Sequence, residues 1–190
     1  MLAPGNLQTA LNTYWDEMTR CRSAGAYWAL LHVTVCLPDI CAALQAPNGE
    51  TSPKRYVKWC NKHLQNTFLS GAERYRMRCK VLHQGRATTD QPAGRYVGFS
   101  FGQPSSTGQV DHLRVDAGCL NIDVGCLGDE TKSGVLQWAR SLEANPGCPE
   151  ARHAFKNLSS LVQVKQCSFP VPAPNGMLGM PQFVTVLKTS

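Results

Sequence analysis

Apolar residues recur every three or four positions through the first half of the chain. Leu7, Leu11, Tyr14, Trp15 and Met18 predict a first helix reaching about Arg22, and Ser23-Ala24-Gly25 reads as a turn. A second helix is expected from about Ala26 to Leu44. Tyr27, Leu31, Thr34, Leu37, Cys41 and Leu44 line one side of it, and nearly every other position is apolar too, as in the buried centre of a bundle. Pro38 removes the donor that would meet the Thr34 carbonyl, so a kink is expected there. Asp39, beside that kink, is an acid on an apolar helix and needs a partner; Arg78 and His83 are candidates. The stretch from Ala46 to Pro53 is a loop by composition, and Pro53 suits the first turn of a third helix carrying Tyr56, Trp59, Cys60 and His63.

A fourth helix is bounded at both ends. Ser70 reads as its N-cap with Glu73 completing a capping box, and Gly85 stands just past the last turn. Four helices in this order predict a small up-and-down bundle. Beyond Gly85 the texture changes. Arg95 to Phe101 alternates as a strand, a polar Pro/Ser/Gly loop follows, and Asp111 to Asp116 alternates again, which together predict an appended β-hairpin. Leu120, Ile122 and Val124 also alternate. A longer helical stripe, Leu120, Val124, Leu127, Thr131, Val135, Trp138 and Leu142, favours a helix over about 119–143. Pro149 opens a last helix through about Val164. The tail from Ser168, with Pro170, Pro172, Pro174 and Pro181, reads as mostly irregular, with Phe183 to Leu187 as a candidate edge strand.

The fourth helix also holds the candidate chemistry. Arg78 is a permanent cation suited to a phosphate, and five positions later His83 titrates near neutral pH. His83 falls in the last turn, whose free carbonyls favour an imidazolium. Five residues of ideal helix turn the two side chains about 140° apart, so they share no face unless the helix unwinds, the pair acts from the rim of a groove, or a second subunit completes the site. Held together, they are minimal equipment for cutting RNA without a metal.

Arg-x4-His at the end of a helix, in a helical chain of this size, resembles the active-site motif of the HEPN superfamily, which includes toxin and antiphage ribonucleases. The wider sequence resembles an uncharacterised bacterial family through Tyr27-Trp28-Ala29-Leu30-Leu31, Leu37-Pro38-Asp39-Ile40-Cys41, Tyr75 to Gly85, Leu120-Asn121-Ile122-Asp123 and Pro174-Asn175-Gly176. The resemblance implies a HEPN-like helical bundle, a metal-independent endoribonuclease with Arg78 and His83 catalytic, and a homodimer in which two motifs face one another. Asp39, Tyr75 and Gln84 would support the site, and Lys80, Arg86 and Arg74 would contact RNA. The family usually has a polar residue after the arginine; here Cys79 stands there. That departure keeps a second class in view, a non-catalytic HEPN-like module binding RNA, a nucleotide or a partner protein such as an antitoxin.

Composition narrows the field further. At 190 residues with 43% hydrophobic and 8% aromatic positions, the chain suits a single domain: a bundle core over 1–88, a β-hairpin insertion over 89–118, further helices over 119–165 and the tail over 166–190. The net charge of +6 is concentrated between Lys54 and Arg95, which suits a polyanionic partner. Nine cysteines in no disulfide-like layout, and an N-terminus without a signal-peptide pattern, predict a cytoplasmic protein in a reducing compartment. No stretch reads as a membrane span. Cys60-x2-His63 and Cys79-x3-His83 offer a rival Cys2His2 metal set, though at no recognised zinc spacing. No cofactor is expected, because no Walker-type loop and no Gly-x-Ser-x-Gly elbow occurs. Asp116, Asp123, Asp129 and Glu130 read as solvated acids.

Overall fold

The computed structural model describes residues 6–64, 68–85, 89–90, 96–101, 110–161, 164–166 and 184–186. It is mainly helical, with a small mixed sheet. Helix α1 (Asn6–Ser23) buries Leu7, Leu11, Trp15, Met18 and Cys21 on one stripe. A turn at Gly25 leads into α2 (Tyr27–Leu44), which packs against α1, α5, α3, α4 and α6. Its continuous apolar run is explained by that enclosure: Leu30, Leu31, Leu37 and Cys41 have no exposed surface. Pro38 lies inside the helix.

One expectation is corrected here. By length and composition alone α2 could cross a membrane: it has 18 residues and a mean hydropathy of 1.5. Half of that window is buried by the other helices, as a core helix also requires.

Helix α3 (Pro53–His63) begins where expected. Ser52 Oγ accepts from the Arg55 N–H at 3.3 Å and Pro53 occupies the first turn. Helix α4 (Gly71–Gln84) carries the capping box, with the Ser70 N–H donating to Glu73 Oε2 at 2.7 Å and the Glu73 N–H to Ser70 Oγ at 3.3 Å. Gly85 closes it in the left-handed conformation, φ 59°.

The sheet differs from the expected hairpin. Strands β1 (Thr89–Asp90), β2 (Tyr96–Ser100), β3 (Arg114–Asp116) and β4 (Cys119–Asp123) form one sheet in the order β1-β2-β4-β3. The stretches 95–101 and 111–116 are therefore not paired with each other. Instead β2 runs parallel to β4, with Val97 opposite Leu120 and Phe99 opposite Ile122. The hairpin joins β3 to β4, through Ala117 (φ 46°) and Gly118 (φ 79°). Two successive positive φ values make the tight turn that matches strand twist. Val97, Leu120 and Ile122 are fully buried and belong to the same apolar core as the helices, so the sheet is not a detached appendage.

The helix expected from residue 119 starts at Val124. Helix α5 (Val124–Ala144) is capped by Asp123, whose Oδ1 accepts from the Cys126 N–H at 2.8 Å. The alternating residues before it go to the sheet, because burying Leu120 and Ile122 together requires a strand beside β2. Helix α6 (Pro149–Asn157) ends sooner than expected, in a short 3-10 turn, Leu158–Ser160. Strands β5 (Val164–Gln166) and β6 (Val184–Val186) pair antiparallel, the latter within the expected edge strand. The proline-bearing stretch from 167 to 183 lies outside the described residues.

Candidate functional site

Helices α2 and α4 bring Asp39 and Arg78 together. Arg78 Nε donates to Asp39 Oδ2 at 2.7 Å, and the two side chains are only 22% and 14% exposed. Asp39 thus meets an acid's need for a partner on an apolar helix. Burial opposes the Arg78 charge most strongly, yet Asp39 and Cys79 outweigh it and hold the guanidinium above its ordinary value.

Arg78 Nη1 lies 3.1 Å from His83 Nε2. The helix does not unwind to allow this; it remains α-helical through Gln84. Five residues separate the two Cα atoms by about 7.5 Å of rise. The long arginine side chain, anchored at Nε, spans that rise and the turn with its Nη1 arm. Sequence reasoning treated the two side chains as radial spokes and so missed this reach. A guanidinium only donates, so Nε2 accepts here through its lone pair and the imidazole proton sits on Nδ1. His83 itself is exposed at the end of α4.

The flanking residues are mixed. Tyr75 packs edge-on against Tyr56 with ring centroids 5.5 Å apart, and its phenol is pushed up first by a hydrogen bond with Cys79. The Cys79 sulfur is 4.0 Å from Arg78 Nη1, so a thiol stands beside the guanidinium. Lys80 is half-buried on α4 and Gln84 is exposed. Arg86 lies outside the described residues. Cys36 is a neighbour that sequence reasoning did not single out. Its thiol is raised first by burial and then by Asp39, and lowered by Arg78. Its position three residues before Asp39 on α2 was the available signal.

Arg74 is not where an RNA-facing cation is expected. Its side chain is 3% exposed and its Nη2 lies 3.5 Å from Glu130 Oε2 on α5. Glu130 is correspondingly no solvated acid: its Oε1 is 2.9 Å from His112 Nε2. His112 Nδ1 accepts from the Asp123 N–H at 3.2 Å, so Nε2 carries the proton and donates to Glu130. Burial works to raise the Glu130 carboxyl, but His112 and Arg74 together hold it below its ordinary value. Asp123 caps α5, and Asp129 pairs with Arg22 at 2.9 Å. The rival Cys2His2 set does not assemble. Cys60 is fully buried, its thiol pushed up to about 12 by burial, and among the described residues no group of three or more His, Cys, Asp and Glu could hold a metal ion.

A second concavity lies elsewhere. A cleft of about 620 Å³ is lined by Lys62, His63, Arg74, Glu130, Ser133 and Gln137, with Gly134 and Ser141 along α5. Neither Arg78 nor His83 lines it. Gly134 lets α5 approach the end of α3: a Cβ there would stand 2.6 Å from the His63 carbonyl oxygen. His63 stacks on Trp59, with centroids 5.0 Å apart, and burial, then Lys62, pull its pKa down to about 4.

The molecule is thus a helical bundle closed by a mixed sheet, with an Arg–His–Asp cluster on α2 and α4 and a separate polar cleft between α3, α4 and α5. Compared with protein-family models, with curated proteins and with solved structures, the chain gives no match.

Proposed function

We propose that this chain is a metal-independent endoribonuclease of HEPN-like type, acting at Arg78 and His83. The observation that carries the reading is the 3.1 Å approach of Arg78 Nη1 to His83 Nε2. It gives an accepting imidazole nitrogen and a fixed cation at one place. Once substrate draws Arg78 Nη1 from His83 Nε2 to the phosphate, the freed Nε2 lone pair takes the proton of a ribose 2′-OH as its oxygen bonds to phosphorus. The free arm of the Arg78 guanidinium neutralises the pentacoordinate phosphate, while Asp39 holds the Nε edge and sets its direction. The bond from phosphorus to the 5′-oxygen breaks, and that oxygen takes a proton. One imidazole serves one transfer at a time, so the partner's His83, in a second copy facing the first, donates it. The products are a 2′,3′-cyclic phosphate and a 5′-hydroxyl. A toxin or antiphage role follows from the same resemblance, with an antitoxin or defence protein as partner.

Cys79 supports a second reading, a non-catalytic module that binds RNA, a nucleotide or a partner through the same cluster, since a thiol stands where HEPN nucleases place a polar group. Incubation of end-labelled RNA in EDTA with wild type, Arg78→Ala and His83→Ala separates the two. The nuclease reading requires cleavage by wild type alone, with a cyclic-phosphate end. RNA left intact by all three, but retarded by wild type and released by Arg78→Ala, selects the binding module.

A further inference from the structure

The floor of the 620 Å³ cleft is a buried cation with too few acceptors. Arg74 carries five N–H donors, is 3% exposed and has one described acceptor, Glu130, at the long distance of 3.5 Å. Its Nε is buried and has no hydrogen-bond partner among the described residues. Glu130 cannot compensate it fully, because its other oxygen is engaged by His112 at 2.9 Å. A guanidinium so placed costs free energy unless an anion completes its surroundings. Lys62, on the rim, forms no ion pair among the described residues, so the cleft carries Arg74 and Lys62 against Glu130, one positive charge in excess.

The remaining wall is neutral: Leu64 and Gly134 are apolar, and Ser133, Gln137 and Ser141 carry hydrogen-bonding groups, with the Ser141 hydroxyl donating to the Trp138 carbonyl and open as an acceptor. Ser133, Gln137 and Ser141 stand at four-residue intervals on α5, about 6 Å apart along the helix. They extend the polar lining for about 12 Å beyond what a bare phosphate needs, and the volume falls in the range of small-molecule sites. Among the described residues no aromatic side chain other than His63 lines the cleft, so they offer a stacked base no other platform.

We propose that this cleft binds a phosphate monoester of a small polyhydroxylated molecule. The phosphate sits between Arg74 and Lys62, and its hydroxylated portion lies along Ser133, Gln137 and Ser141. The site is independent of the Arg78–His83 cluster.

Trp59 touches His63 and lies 6.0 Å from Trp138 between ring centroids, so tryptophan emission reports on the cleft floor. Inorganic phosphate, ribose 5-phosphate, ribose and potassium chloride at matched ionic strength are titrated against that emission and against thermal unfolding. Ribose 5-phosphate should give a saturable change, tighter than inorganic phosphate, and ribose and chloride should give none. Lys62→Ala and Gln137→Ala change exposed rim residues and leave the core intact. Lys62→Ala should weaken both phosphates about tenfold, and Gln137→Ala the ester alone. Absence of saturation by either phosphate, or unchanged affinity in Lys62→Ala, overturns the site. Equal affinity for phosphate and ester overturns the sugar-binding part.

Discussion

Asp39 on α2 holds Arg78 on α4 by its Nε at 2.7 Å, and that leaves the guanidinium's outer arm to meet His83. The anchor restricts the side-chain torsions that would otherwise carry the cation away from the imidazole. Replacing Asp39 with Asn keeps the shape but removes the charge, so the arginine loses its strongest acceptor in a place where it is 22% exposed. Asp39→Asn should lower stability in urea unfolding by about 1–3 kcal/mol. Combined with Arg78→Ala, it should cost much less than the sum of the two single changes. Additive losses would show that the pair does not act as a unit.

Arg78→Lys tests whether shape or charge matters. A lysine ammonium is one point charge and cannot hold Asp39 with one edge and face His83 with another. On the nuclease reading, RNA cleavage should fall by about a hundredfold while the unfolding midpoint changes little. Full retention of activity would mean that charge alone suffices.

The elements legible in the sequence were those specified locally. Ser70, Glu73 and Gly85 mark both ends of α4 within one turn of their partners, and Ser52 with Pro53 does the same for α3. The apolar surface of α2 is likewise a property of its own residues. The sheet was less legible because β4 owes its existence to β2, more than twenty residues upstream. Leu120 and Val124 fit a helical stripe as well as a strand, and only the buried position of Leu120 opposite Val97 decides between them. The candidate site was legible as a motif but not as a geometry. Arg74 and Arg78 lie one turn apart on the same helix with the same charge, yet the first is buried against Glu130 and the second reaches His83. Nothing local to α4 distinguishes them; the neighbours on α2 and α5 do.

Acid should act on the fold through His63 before it acts through the carboxylates. The unfolded chain protonates this imidazole near 6.5, whereas the folded protein does so only near 4, held down first by burial and then by Lys62. Between those values the unfolded state binds more protons, so stability should fall as pH drops from about 6.5 to 4 and stay level above that window. Glu130, held below its ordinary 4.5, adds its own loss only at lower pH. His63→Gln should flatten the upper slope and leave the lower one. Urea midpoints measured from pH 3.5 to 8 read both, and an unchanged slope in the variant would exclude His63 as its source.

Gly134 marks where α5 and the end of α3 come closest. An added Cβ would lie 2.6 Å from the His63 carbonyl oxygen and 2.5 Å from Leu64 Cδ2. The leucine methyl can rotate aside, but the carbonyl belongs to the last turn of α3 and cannot move without the backbone. Alanine would ordinarily favour a helix over glycine by up to about 1 kcal/mol. At this contact the overlap should win, and Gly134→Ala should destabilise by about 1–3 kcal/mol in thermal or urea unfolding. Gly147 has open space around its missing side chain. Gly147→Ala is therefore the control, with little expected change. The same overlap would push α3 away from α5 and widen the cleft between Lys62 and Gln137. Trp59, stacked on His63, should then shift its emission in Gly134→Ala but not in Gly147→Ala. A gain in stability at residue 134, with Trp59 emission unchanged, would mean that the two helices are not in the close contact described.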